Sequence, residues 1–307
     1  ALAKLGVGAG DRVGTLCWNN QEHLEAYYAV PCMGAVLHTL NLRLPGAQLA
    51  HIINHAEDKI VLVDATLLPI LAPIVDELTT VEAFVVIGPG DASGLGARPV
   101  HRYAELLAAE QPGFAWPSVD ERAPASMCYT SGTTGDPKGV VYSHRSTVLH
   151  AMATNAASVT GATESDRVLT FVPMFHVNAW GIPFAAFFSG ATLHMPGPHM
   201  TPEGICAFIS SERSTLASAV PTIWAGILAY GNAHEIDLSS LRMGTSGGAA
   251  IPRSLMEAFE DKYGVRIIQG WGMTETSPVG GMAHAPADVE LGTPEEIDWR
   301  MKSGRLI

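Results

Sequence analysis

Short apolar runs alternate with stretches of helical spacing along most of this chain, and no feature narrows its fold more. The runs fall at 11–17, 35–40, 59–64, 83–88, 127–130, 139–142, 168–172, 191–194, 217–220, 241–246 and 265–269. Between them, helical spacing covers 21–30, 45–55, 66–78, 101–110, 147–157, 202–211, 223–230 and 253–263, with Pro73 placed to kink or shorten its segment. Strand and helix in alternation build βαβ units, so the expected class is α/β with mostly parallel sheets flanked by helices. Chemistry in such sheets gathers beyond the carboxyl ends of strands. The segments that leave strand ends here are 131–138, 174–180, 221–222, 247–250 and 269–275.

The densest of these is Tyr129-Thr130-Ser131-Gly132-Thr133-Thr134-Gly135-Asp136-Pro137-Lys138-Gly139-Val140. Its glycines allow close backbone approach to a ligand, and consecutive N–H groups in such a turn make an anion-binding concavity. The hydroxyls of Thr130, Ser131, Thr133 and Thr134 can donate to phosphate oxygens, and Lys138 adds a mobile positive charge. Thr130 can also offer an oxygen to magnesium, which prefers hard ligands. A Walker loop is excluded, because Pro137 precedes the lysine and the following residues read as a strand. The helix signal resumes only at Ser143, a candidate N-cap. The bland alternative is a surface hairpin.

A second constellation is Gln269-Gly270-Trp271-Gly272-Met273-Thr274-Glu275. Two glycines flank an aromatic, so backbone and ring can both approach a flat ligand such as adenine. Thr274 offers a hydroxyl for phosphate and Glu275 a carboxylate for Mg2+. Ser246-Gly247-Gly248-Ala249-Ala250-Ile251-Pro252 is a weaker signal, equally open to a tight strand-to-helix turn and to a loop that faces a ligand. Met174-Phe175-His176-Val177-Asn178-Ala179-Trp180 sits in a stretch, 168–196, without Asp, Glu, Lys or Arg. Its prolines and glycines argue against a membrane span and for a buried segment lining an apolar cavity. A histidine in such a setting is often structural.

The order of these motifs resembles the adenylate-forming (acyl-CoA synthetase, AMP-binding) superfamily, over nearly the whole chain from about residue 5. The resemblance implies the large-domain fold of that superfamily. It implies ATP/AMP binding by Thr130, Ser131, Gly132, Thr133, Thr134, Gly135, Lys138, Gly248, Ala249, Gln269, Gly270, Trp271, Gly272 and Thr274, and catalytic roles for Lys138, His176, Thr274 and Glu275. Magnesium would be held by Thr130 and Glu275. Trp271 replaces the family's usual tyrosine, keeping a stacking face and lacking the phenol. The run His176-Val177-Asn178-Ala179-Trp180 is similar to bacterial long- and medium-chain fatty-acyl-CoA synthetases, in which the tryptophan gates an acyl tunnel. His176, Val177 and Trp180 are the implied acyl-substrate residues, with Phe184, Phe187 and Phe188 suited to line the tunnel. The implied activity is ATP-dependent conversion of a fatty acid to an acyl-adenylate and transfer to CoA. An aryl- or amino-acid-activating relative and a non-catalytic nucleotide-binding fragment are the alternatives. The family's ribose-binding aspartate, hinge and C-terminal lysine domain have no counterpart in this sequence, so the expectation is a partial large N-terminal domain without the lid.

The 307 residues are enough for two subdomains, expected at 1–126 and 127–307. A net charge of −12 argues against nucleic acid or an anionic membrane as partner. The four cysteines are scattered and form no CxxC pair, and no leader-like apolar run opens the chain. A reducing cytoplasm is the expected location. Homodimerisation is implied by family habit only, since no interface is legible.

Overall fold

The computed structural model describes residues 1–130 and 137–307. The chain forms two units, Ala1–Thr147 with Met174–Asn178, and Val148–Pro173 with Ala179–Ile307. In chain order the strands of the first unit are β1 (Arg12–Leu16), β2 (Val36–Thr39), β3 (Asp58–Asp64), β4 (Ala83–Ile87), β5 (Val100–Arg102), β6 (Pro124–Thr130) and β7 (Lys138–Ser143). Those of the second are β8 (Arg167–Thr170), β9 (Thr192–His194), β10 (Leu216–Ala219), β11 (Met243–Ser246), β12 (Ile267–Gly272), β13 (Val279–Met282) and β14 (Arg305–Leu306). Among the described residues they make two sheets, ordered β5-β4-β3-β1-β2-β6-β7 and β14-β13-β12-β11-β10-β8-β9.

In the first sheet every pairing is parallel except β6 with β7. Parallel strands covered on both faces read as continuous apolar runs, and Val36–Thr39 and Ala83–Ile87 are buried at every residue. Leu16, Leu40, Val61, Val63, Phe84 and Val86 pack with Leu49, Ile52 and Ile53 from the helix Gly46–His55. Helix Gln21–Cys32 begins where Asn20 Oδ1 accepts the His23 N–H at 3.0 Å, an N-cap that satisfies one orphan donor. His23 itself is fully buried between Thr15 Oγ1 (2.9 Å) and Trp18 O (3.0 Å).

Three expectations shift. Leu37 and His38 pair with Ser126 and Met127, which draws β6 and its hairpin partner β7 into the first sheet, past the expected boundary at 126. Pro69 and Pro73 break 66–78 into a helix Leu68–Leu71 between 3-10 turns, because proline removes a donor and clashes with the preceding turn. Segment 101–110 begins as edge strand β5 and only then becomes the helix Tyr103–Ala108.

In the second sheet β9, β8, β10, β11 and β12 run parallel, while β13 and β14 add antiparallel pairs. Leu169, Phe171, Ala217, Trp224, Ile227, Phe259 and Ile267 form its core. The Trp224 indole donates to Thr245 O at 3.1 Å and lies so close to β11 that a Cβ at Gly244 would meet it at 2.9 Å. Helix Pro294–Arg300, not read from the sequence, is anchored by charge. Arg300 is fully buried, 2.9 Å from the Glu296 carboxylate and paired also with Glu260, and Arg266 contacts Glu296 as well. A buried charge persists only with partners of this kind. The uncharged stretch 168–196 divides into β8, a turn, the helix Ile182–Ser189 and β9, and no helix among the described residues is long and apolar enough to cross a membrane.

Burial holds His23 and His150 at a pKa of about 4, against 6.5 for a free histidine. The unfolded chain therefore takes up protons first as pH falls. Their contribution to stability is complete above about pH 6.5 and is lost between there and pH 4. Denaturant titrations at pH 7 and pH 4.5 are expected to differ by about 5 kcal/mol, with net proton uptake on unfolding at the lower pH. A midpoint independent of pH over that range would contradict this.

Candidate functional site

In the first unit the β6–β7 hairpin sets Thr130 directly opposite Lys138. Opposed residues of an antiparallel pair share a face of the sheet, so the half-buried threonine and the exposed lysine are brought together. Ser131, Gly132, Thr133, Thr134 and Gly135, with Asp136, lie outside the described residues. Tyr129, just before them, is fastened by a 2.6 Å hydrogen bond between its hydroxyl and His55 Nδ1.

The segment Met174–Asn178 packs into the same unit. Met174 N–H donates to Asn19 Oδ1 at 2.7 Å, and the Tyr27 hydroxyl donates to Met174 O. The next turn is unusual. Val177, Asn178, Ala179 and Trp180 have φ of 50, 48, 50 and 57°, so the helical turn Val177–Trp180 is left-handed. Each such residue costs about 1–2 kcal/mol. Asparagine tolerates this conformation best, and Asn178 is buried where its Nδ2 donates to Ser126 Oγ at 2.8 Å and its Oδ1 accepts from Cys128 Sγ at 3.0 Å. Backbone strain held by its surroundings is a feature of functional sites. His176, at the head of the turn, reaches solvent. Protein packed around the rest of its ring, and then the charge of Arg43, hold its pKa below the ordinary value, so at neutral pH it is an uncharged donor and acceptor.

In the second unit Trp180, Gly247 and Gly270 converge. A Cβ at Gly247 would lie 3.1 Å from the Trp180 indole and 3.3 Å from Gly270 O. Gly248 adopts φ 78°, and Ala249 beside it is exposed. β12 runs through the second motif as far as Gly272. Trp271 is half exposed, with its ring lying over Gly280, where a Cβ would come within 2.9 Å. Gly272 faces Pro278 O at a distance, 2.2 Å from any added Cβ, that admits no side chain. Thr274 and Glu275 follow on the 3-10 turn Thr274–Thr276, the first half-buried and the second exposed.

Gln269 is the residue whose surroundings differ most from a simple ligand contact. Its Oε1 accepts the Ile251 N–H at 2.9 Å, while Nε2 donates to Met301 O and Lys302 O at 2.8 and 3.0 Å. The amide thus ties the 247–251 loop and the end of helix Pro294–Arg300 to β12. Phe187 and Phe188 also depart from expectation. Both are largely exposed, so neither lines an interior channel, while Ala185 and Ala186 of the same helix face inward. The sequence reading missed His150 and Asn178 as structural residues of this region. Helical spacing alone cannot say what the buried side of 147–157 touches, and no local pattern announces a left-handed turn.

No group of three His, Cys, Asp or Glu among the described residues could enclose a metal ion. Thr130 in the first unit and Glu275 in the second each offer a single oxygen donor, of the kind that suits Mg2+ held mainly by phosphate and water. Replacing Gln269 by Ala removes three hydrogen bonds and leaves the buried Ile251 N–H unpaired, at about 1–3 kcal/mol. The expected result is a lower thermal midpoint without any ligand present, measured by calorimetry. An unchanged midpoint would mean that the amide ties nothing together.

The family described as AMP-binding enzyme matches residues 1–305. The chain is 49% identical over 306 residues to a 3-methylmercaptopropionyl-CoA ligase of Ruegeria lacuscaerulensis, covering 99% of this chain and 57% of that protein. It is 46% identical to a long-chain-fatty-acid–CoA ligase of Thermus thermophilus, with coverage of 99% and 54%. Among solved structures, the anthranilate CoA ligase AuaEII in complex with anthranoyl-AMP superposes with a TM-score of 0.86 at 27% identity, over all of this chain and 56% of that one. The chain spans about half the length of the relatives it matches. With its two sheets and motif order, it belongs to the AMP-binding, adenylate-forming enzyme family, and its relatives there are acyl-CoA ligases.

Proposed function

We propose that the protein carrying this chain is an AMP-forming ligase that joins a fatty acid to CoA. The observation that supports this best is the meeting of Trp180 with Gly247 and Gly270 within the second unit. The 46% identity to a long-chain-fatty-acid–CoA ligase supports the same reading.

The acid carboxylate attacks the α-phosphorus of ATP, and pyrophosphate leaves. The CoA thiolate then attacks the acyl carbonyl, and AMP leaves. The substrate brings its own nucleophile, so the protein's task is positioning and charge neutralisation. Lys138 neutralises the departing pyrophosphate. Thr130 and Thr274 donate hydroxyls to phosphate, and Trp271 presents a flat face to adenine. Neutral His176 hydrogen-bonds the carboxylate or an α-phosphate oxygen without repelling the cations around it. Bound Mg2+, with Thr130 and Glu275 as protein oxygens, supplies Lewis-acid charge at the triphosphate.

A second reading, a short thioether acid like that in the name of the Ruegeria relative, has its own support. It rests on the 49% identity to that relative.

Labelled pyrophosphate exchange by the full-length gene product tests both. Alkanoates of graded length, 3-methylmercaptopropionate, benzoates and amino acids are compared. Preference for alkanoates supports the first reading, and preference for the thioether acid the second. Preference for benzoates or amino acids rejects both. Lys138→Ala is expected to slow exchange by about 100-fold or more. Trp180→Ala is expected to move the chain-length optimum by about tenfold in relative kcat/KM, with the KM for ATP unchanged.

A further inference from the structure

We propose that His150 is a positioning residue that locks the turn carrying Trp180 to the strand behind Trp271. The inference rests on the reading of Trp180 as a selector of the acid. His150 belongs to the helix His144–Thr154 and is almost completely buried. It touches none of the motifs through which the sequence speaks, yet its ring has two distinct engagements.

On one side, Nε2 accepts the backbone N–H of Val279 at 3.2 Å. Val279 opens β13 and is the register mate of Gly272, the residue after Trp271. On the other side, the ring edge abuts Gly181. A Cβ at Gly181 would lie 2.5 Å from both Cε1 and Nδ1, and Gly181 stands at φ 72°, so only glycine fits there. Gly181 is the residue after Trp180 and ends the left-handed turn. One imidazole therefore spans from the neighbour of Trp180 to the mate of the residue following Trp271. Accepting from Val279 requires an unprotonated Nε2, and burial keeps the ring neutral, with a pKa of about 4.

The wedge answers a need set by the backbone. A left-handed turn of non-glycine residues relaxes unless its ends are held. Asn178 holds the turn within the first unit, and His150 holds its exit within the second. A ring with two fixed contacts also transmits displacement. A shift of Trp180 on acid binding pushes Gly181 against the imidazole, which bears on Val279 and so on the strand pair under Trp271.

The test uses the full-length gene product and pyrophosphate exchange across the alkanoate series, with KM for ATP measured at each acid. His150→Leu keeps bulk but has no acceptor for Val279. His150→Gln places an amide oxygen where Nε2 stood. The expected result is that His150→Leu alters the relative kcat/KM along the series by at least about tenfold and raises the KM for ATP several-fold. His150→Gln should stay within about threefold of the parent on both. Trp180→Ala should change only the acid series. If His150→Leu does not fold, His150→Asn, whose amide is too short to reach Val279, takes its place with the same expectation. A folded Leu or Asn variant matching the parent in both readouts overturns the inference, as does a Gln variant as impaired as Leu. If Trp180→Ala leaves the acid series unmoved, the reading of Trp180 falls, and the ATP measurements on the His150 variants still decide the role of the ring.

Discussion

Parallel strand pairing is the constraint from which the rest follows. Each parallel neighbour demands a crossover, and a crossover is met by a helix on one face of the sheet. Every strand of the run β8, β10, β11 and β12 consequently ends at the same edge. The segments beginning at 171, 220, 247 and 273 leave the second sheet there. None has to be brought to that edge by its own chemistry. The core beneath them, Leu169 to Ile267, makes that edge rigid enough to hold loops rich in glycine and hydroxyls.

The left-handed turn Val177–Trp180 shows what that rigidity is used for. Four residues in this conformation oppose the fold by several kcal/mol in sum. Buried hydrogen bonds return about 1 kcal/mol each, so the Asn178 contacts alone do not balance the strain. Val177 and Ala179 are buried as well, which adds roughly 25 cal/mol per Å² of apolar surface removed from water. The benefit is directional. A right-handed turn at this point would aim His176 and Trp180 elsewhere, since side-chain direction follows backbone hand.

Identity to relatives does not choose the acid. The values for a short thioether acid ligase and a long-chain ligase, 49% and 46%, average over some three hundred positions. Selectivity depends on a few wall residues, and one methylene in an apolar pocket is worth only about 1–3 kcal/mol.

Local chemistry was legible in the sequence wherever one stretch carries its own meaning. The apolar runs foretold the strands because burial on both faces leaves few other ways to spend them, and the glycine and hydroxyl motifs marked the strand ends. The family followed from the order of those motifs. Long-range pairing settled the rest. That β6 joins the first sheet depends on Leu37 and His38 meeting Ser126 and Met127, which no local pattern encodes. The outward turn of Phe187 and Phe188 depends on which face of their helix meets the sheet. The spending of the Gln269 amide on Ile251, Met301 and Lys302, and the wedge of His150 between Gly181 and Val279, arise between residues far apart in the chain. A sequence displays each residue's capacities, but only packing decides which neighbour consumes them.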